Sequence, residues 1–191
     1  MLSNGGSMEA FSKFVSVIIL VIFIFMVIPM YELERQDSIS QSYVTSSTVD
    51  FVENVRKQGR ITQDMYNNFI EILSSTGNTY DVEIVHTHTI VNPTKDEDGT
   101  ITTKYYDNIV YTDEIMGILF GGLDDDYEQK YVAAGKVLGE YRMYKGDRIS
   151  VVVKNRNITG ATRMHNVIYH TKLPNVSIYA TYGGEIVDEN Y

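Results

Sequence analysis

The chain has 191 residues, a formal net charge of -9, no cysteine and no tryptophan. That length accommodates one membrane segment plus one globular domain of ordinary size. The acidic balance argues against a nucleic-acid partner, which needs a basic face. The missing cysteine excludes disulfides, a thiol nucleophile and a thiolate metal site.

From Phe14 to Met30 the chain reads FVSVIILVIFIFMVIPM, with one serine, one proline and no charge. At 1.5 Å per residue this run spans about 25 Å, and Ala10, Phe11 and Tyr31 extend it toward a ~30 Å hydrocarbon core. A cleaved secretory signal has a shorter apolar region, about 7–15 residues, followed by small residues at the cleavage site. The following PMYELERQ has no such pattern, so a retained transmembrane helix is expected over residues 10–31, after a short cytoplasmic or leader segment, 1–9. Lys13 precedes the apolar run and Arg35 follows it, so the count of cations leaves orientation nearly tied. The short N-terminal tail and the long acidic remainder favour a single-pass protein of the cell membrane, N-in and C-out.

Residues 32–58 contain neither glycine nor proline. Val44, Thr48, Phe51 and Val55 fall within a stripe roughly 60° wide at 100° per residue, with Val52 beside it. Ile39 and Val49 lie off the stripe. Arg56 and Lys57 suit a helix C-terminus, and Gly59 suits a C-cap. One helix from near Glu9 to Gln58, about 70 Å long, accounts for this pattern, with Pro29 as a kink. The alternative is two helices, broken near Pro29 or in DSISQS.

In ITQDMYNNFIEILSSTGN, Thr62 is the expected N-cap and Asp64 lies in the first turn. Ile61 and Tyr66 are spaced as a hydrophobic staple. Met65, Phe69, Ile72 and Leu73 form the apolar face, edged by Tyr66 and Ile70, and Gly77 closes the helix. This face is expected to pack on the stripe of the first helix, making residues 32–78 a helical spine and packing unit.

Beyond Thr79 the pattern is that of strands. TYDVEIVHTHTIV and ITTKYYDNIVY read as the arms of a hairpin around NPTKDEDGT. TDEIMGILFGG reads as a short helix capped by Thr112, and LDDDYEQKYVAAGKVLGEYRM as an acidic loop followed by a helix or a strand pair. DRISVVVKNRN is a strand with Ile149, Val151 and Val153 on one face; TRMHNVIYH and SIYATYGGEIV read as further strands. Residues 79–191 are therefore expected to be a mainly antiparallel β-rich domain, and the whole chain α+β.

Chemistry is sparsely signalled. His86 and His88 share one strand face and are weak metal candidates, which His165 and His170 would join only if the sheet order allowed. The bland reading is polar residues on a half-exposed strand. KDEDGT and LDDDYE are acidic enough for calcium, but the first lacks the alternation of a calcium loop, and solvated connections explain both. Gly183-Gly184 suits a bend or bulge. Asn157 and Asn175 each open an N-x-S/T triplet. No nucleophile elbow or phosphate loop is present. No cofactor and no small-molecule substrate is implied, and a non-enzymatic role is expected.

The long N-terminal helix, half anchor and half spine, followed by an antiparallel sheet, resembles the type IV pilin and pseudopilin architecture. Within that group the chain is most similar to the TadE-like minor pilins of tight-adherence systems and to related Firmicutes pilin-like membrane proteins. The stretch FVENVRKQGRITQDMYNNFIEILSSTGNTYDVEI carries the resemblance best, and YKGDRISVVVKN less so; it covers roughly residues 9–85 closely and the remainder only in outline. It implies a structural subunit of a surface filament or of an envelope secretion and assembly apparatus, with the membrane, other pilin-like subunits or assembly-platform proteins as partners. By the same resemblance, Glu9 is the counterpart of the assembly glutamate, Pro29 of the bend, and Gly6-Ser7 of a leader-cleavage site. Cleavage there leaves Glu9 at mature position three, where the family pattern has it fifth. The alternative from another class is a single-pass membrane protein with an extracytoplasmic ligand- or partner-binding domain.

Overall fold

The computed structural model describes residues 5–95, 98, 100–133, 136–174 and 178–187. Helix α1 (Gly5–Ile22) passes through a π-helical turn, Phe23–Val27, into helix α2 (Ile28–Gln58). The π turn accommodates Pro29, which has no N–H for the carbonyl of Phe25 and whose ring crowds it. Widening the preceding turn relieves the clash without ending the helix. The helix is therefore continuous through Pro29 and through DSISQS. Gly59 ends it in the left-handed region at φ 67°, its N–H bonding the Val55 carbonyl at 2.8 Å.

Strand β1 (Arg60–Thr62) leads into helix α3 (Gln63–Ser74), whose Met65 N–H is capped by the Thr62 hydroxyl at 3.3 Å. Phe69 and Leu73 are buried on its apolar face, and the Phe69 ring stacks on Phe51 of α2, centroids 4.4 Å apart. The helix stops at Ser75; Gly77, expected to close it, instead turns the chain two residues later, at φ 78°.

Strands β2 (Tyr80–Lys95) and β3 (Ile101–Tyr111) form the hairpin, and helix α4 (Thr112–Phe120) follows. Helix α5 (Asp125–Ala133) and strand β4 (Glu140–Arg142) resolve the ambiguous acidic stretch, β4 pairing antiparallel with β1. Strand β5 (Arg148–Asn155), helix α6 (Gly160–Tyr169) and strand β6 (Tyr179–Glu185) complete the order. The main sheet is antiparallel throughout, in the order β3-β2-β5-β6. The architecture is thus α+β: a long N-terminal helix, further helices and an antiparallel sheet.

Alternation on β5 buries Ile149, Val151 and Val153, and the helical stripe of α2 buries Val44, Thr48, Phe51, Val52 and Val55. Both faces join one core with Ile61, Ile84, Ile115 and Ile178. Residues 32–78 and 79–187 thus share one hydrophobic cluster across the described residues. The amphipathic half of the long helix is stable because the sheet covers its apolar stripe.

Four further expectations need correction. TRMHNVIYH is helix α6, not a strand. Thr159 caps it by accepting the Thr162 N–H at 3.3 Å, and its own hydroxyl donates to Asp37 of α2 at 2.5 Å. Ala161, His165 and Ile168 then recur on one half-buried face at helical spacing. Thr112 does not cap α4 with its side chain; its hydroxyl bridges the Ile84 backbone, accepting from N–H at 2.7 Å and donating to C=O at 3.2 Å. The hairpin ladder runs through Asn92, Pro93, Thr94 and Lys95, so the turn is shorter than NPTKDEDGT. Gly183 and Gly184 form no bulge, because the β5–β6 register continues through both.

Candidate functional site

Two places in the fold bear on function: the long helix and a buried polar cluster at the base of the hairpin. The helix from Met8 to Gln58 contains a window of mean hydropathy 2.9, none of it buried. Phe11, Phe14, Ile19, Phe23 and Phe25 stand exposed along it. Such a helix is long and apolar enough to cross a membrane, and among the described residues no element of the domain covers it. Glu9 is exposed on α1, Pro29 follows the π turn, and Gly6 and Ser7 fall in the first turn of α1. These sites lie along one rod and form no pocket together.

Five hydroxyl groups along α2 are satisfied within the helix. Ser38, Ser42, Thr45, Ser47 and Thr48 each donate to the carbonyl four residues earlier. The buried Thr48 therefore sits in the apolar stripe without an unmet donor.

The cluster is built from β2, β4 and the turn before β5. His86 and His88 share a strand face, as the period of two requires, and both reach Asp147. His86 Nε2 lies 2.9 Å from Oδ2, and His88 Nδ1 lies 2.6 Å from Oδ1. His86 Nδ1 meets the Tyr141 hydroxyl at 2.7 Å, and the Tyr144 N–H donates to Asp147 Oδ2 at 2.7 Å. Gly146, at φ 92°, shapes the turn that aims Asp147 inward. With its proton on Nε2, neutral His86 donates to Asp147 and accepts from Tyr141, so every polar atom of the ring is used.

Burial holds His86 below the usual imidazole range, against the opposing pull of the Asp147 carboxylate; His88 and Lys136 add small repulsions. Burial likewise pushes the Tyr141 phenol above its ordinary value. Among the described residues, no group of three or more such side chains is arranged to hold a metal. His165 and His170 lie on or at the end of α6: His165 packs against Tyr169, and His170 takes the left-handed position at its C-terminus. The four histidines therefore do not converge. Tyr141 and Asp147 escaped sequence reasoning, since each lies over fifty residues from His86 and neither has a local signature.

The acidic stretches have separate fates. Asp125, Asp126 and Glu128 occupy the first turn of α5, where the helix dipole favours them, and Asp126 pairs with Lys130 at 2.5 Å. Asp96, Glu97 and Gly99 of the KDEDGT tip lie outside the described residues, as does the Asn175 triplet. Asn157 is engaged, accepting the Thr79 N–H at 2.9 Å and donating to Asn78 at 2.9 Å.

The outer edge of β6 is closed by α2. The Gln41 amide bonds both backbone groups of Tyr179, and Arg56 Nε donates to the Glu185 carbonyl at 2.8 Å. A Cβ at Gly184 would lie 2.6 Å from Arg56 Nε, so this glycine makes room for the guanidinium. No family model, curated protein or solved structure matches the chain.

Proposed function

We propose that this protein is a non-enzymatic, membrane-anchored structural subunit of the pilin-like kind, working by assembly in a bacterial surface filament or envelope apparatus. One observation carries the reading. A single helix from Met8 to Gln58 is bare and apolar in its first half and built into the domain core in its second. A ligand-binding ectodomain needs only a tether, and a rigid spine continuous with the anchor adds nothing to it. A subunit that is stored in lipid and then packed helix against helix needs that continuity. In this reading the orientation is N-in and C-out, and the partners are the membrane and other pilin-like or assembly-platform proteins. Glu9 and the helix through Pro29 mediate packing, and Gly6-Ser7 is the site of any leader cleavage.

The test is mass spectrometry of the membrane-extracted protein, together with shearing of intact cells. A mature N-terminus near Ser7 and recovery in sheared filaments are the expected results. An intact Met1 with all protein retained in membranes would instead support a single-pass protein with a partner-binding outer domain.

A further inference from the structure

The sheet has two edges, and the fold treats them differently. β6 is bridged to α2 at both ends, by Gln41 at Tyr179 and by Arg56 at Glu185, whereas among the described residues β3 pairs only with β2. Residues 101–109 of β3 are all exposed, including Ile101 at 71%, Tyr105 at 68% and Ile109 at 46%. The ribbon also outruns the sheet, because β5 pairs with β2 only as far as Thr87.

The backbone phase of β3 follows from one contact. Ile84 directs its N–H and C=O to Thr112, on the β3 side. Strand groups alternate, so His86, His88 and Ile90 also face β3, while Val91 and Pro93 face away from it. Pro93, which has no N–H, therefore blunts the free side of β2 without weakening the hairpin ladder. By the β2–β3 register, Ile101, Thr103, Tyr105, Asp107 and Ile109 turn their backbone groups outward. Among the described residues, the outer side of β3 is a long edge without a proline, a glycine or a bridging helix side chain.

We propose that this edge pairs with β3 of a second copy of the chain, antiparallel and centred on Tyr105. This register sets Ile101 opposite Ile109 and Thr103 opposite Asp107, and extends the apolar stripe across the junction. Lys104 faces Tyr106, so no like charges meet, whereas centring on Asp107 would oppose two carboxylates. The strand carries one Lys and one Asp; it is neutral in a chain whose net charge of -9 otherwise discourages self-association.

Sheet twist makes this pairing compatible with one membrane. α2 runs alongside β6 in the same sense: Gln41 meets Tyr179 and Arg56 meets Glu185. The two paths match in length, about 22 Å of helix against about 20 Å of strand. From β6 to β3 the strand direction turns in three steps of roughly 20–25°, about 60–75° in all. A two-fold axis normal to the sheet at Tyr105 therefore lies within about 15–30° of the spine axis. Both anchors emerge on the same side. The pairing does not depend on the filament reading, since it would join two copies within a membrane whether or not they polymerise.

The chain has no native cysteine, so single-cysteine variants of the full-length protein in membrane vesicles test the register directly. Tyr105→Cys should give a disulfide-linked dimer on mild oxidation, because facing Cα atoms about 5.5 Å apart suit a disulfide. Thr181→Cys on the β6 edge should stay monomeric. Thr103→Cys should not link to itself but should link to Asp107→Cys when the two are co-expressed. Thr103→Pro, which removes an outward N–H that β2 does not use, should abolish the Tyr105→Cys dimer. A monomeric Tyr105→Cys, equal linking at Thr181→Cys, or linking only to another protein would overturn the proposal.

Discussion

The side-chain amide of Gln41 on α2 reproduces a β-ladder rung against Tyr179 on β6: Nε2 donates to the carbonyl at 2.7 Å, and Oε1 accepts the N–H at 2.9 Å. A helix side chain thus completes a sheet edge and ties the spine to the last strand. Gln41→Ala is expected to cost about 1–2 kcal/mol, since water can replace part of an exposed rung. Gln41→Glu should fare no better, because a carboxylate cannot donate to the Tyr179 carbonyl. Thermal unfolding of the detergent-solubilised full chain measures both, and an unchanged midpoint would remove this bridge from the account of stability.

Gly183 and Gly184 should differ in their tolerance of alanine. At Gly183 the new Cβ would lie 2.6 Å from the Ile149 carbonyl oxygen, a backbone atom of the paired strand. At Gly184 it would meet Arg56, a side chain able to shift. Gly183→Ala is expected to destabilise by about 1–3 kcal/mol and Gly184→Ala by less. Chemical denaturation of the two variants side by side gives the order, and the reverse order would contradict the close approach described.

Acid should weaken the fold through His86. Its folded pKa is lowered, chiefly by burial, so the unfolded chain binds more protons between that value and the ordinary imidazole value of ~6.5. The contribution is complete above about pH 6.5 and is lost as pH falls through it toward the folded pKa. His86→Gln removes this titration and should flatten the decline in melting temperature with falling pH. A decline as steep as that of the parent protein would assign the acid sensitivity to other groups.

The Phe51–Phe69 stack joins α2 to α3, with both rings buried. Either ring truncated to alanine should cost about 3–5 kcal/mol. The double variant should cost less than the sum, because both truncations empty one shared space. Additive losses in equilibrium unfolding would show that the rings act independently.

Most local structure was legible from residue patterns. The stripe Val44–Thr48–Phe51–Val55, the Gly59 and Thr62 caps and the alternation on β5 each follow from periods and capping chemistry that act within a few residues. Errors arose where a distant contact decided a local outcome. TRMHNVIYH admits a strand reading when taken alone, and helix α6 wins because Thr159 caps it while bonding Asp37, far away in sequence. Thr112 looks like a cap, yet the Ile84 backbone claims its hydroxyl. His86 and His88 were visible as a pair, but their partners Asp147 and Tyr141 were not.

The sequence by itself determined the apolar run near the N-terminus, the apolar stripe of the polar helix that follows it and the alternating strands. All of these depend on side-chain hydrophobicity and backbone geometry repeated over neighbouring residues. Tertiary structure alone decided that Asp147 closes on both histidines, that Gln41 and Arg56 cover β6, and that β3 is left open. Strand order and side-chain convergence depend on which distant surfaces meet, and no short window of sequence encodes that.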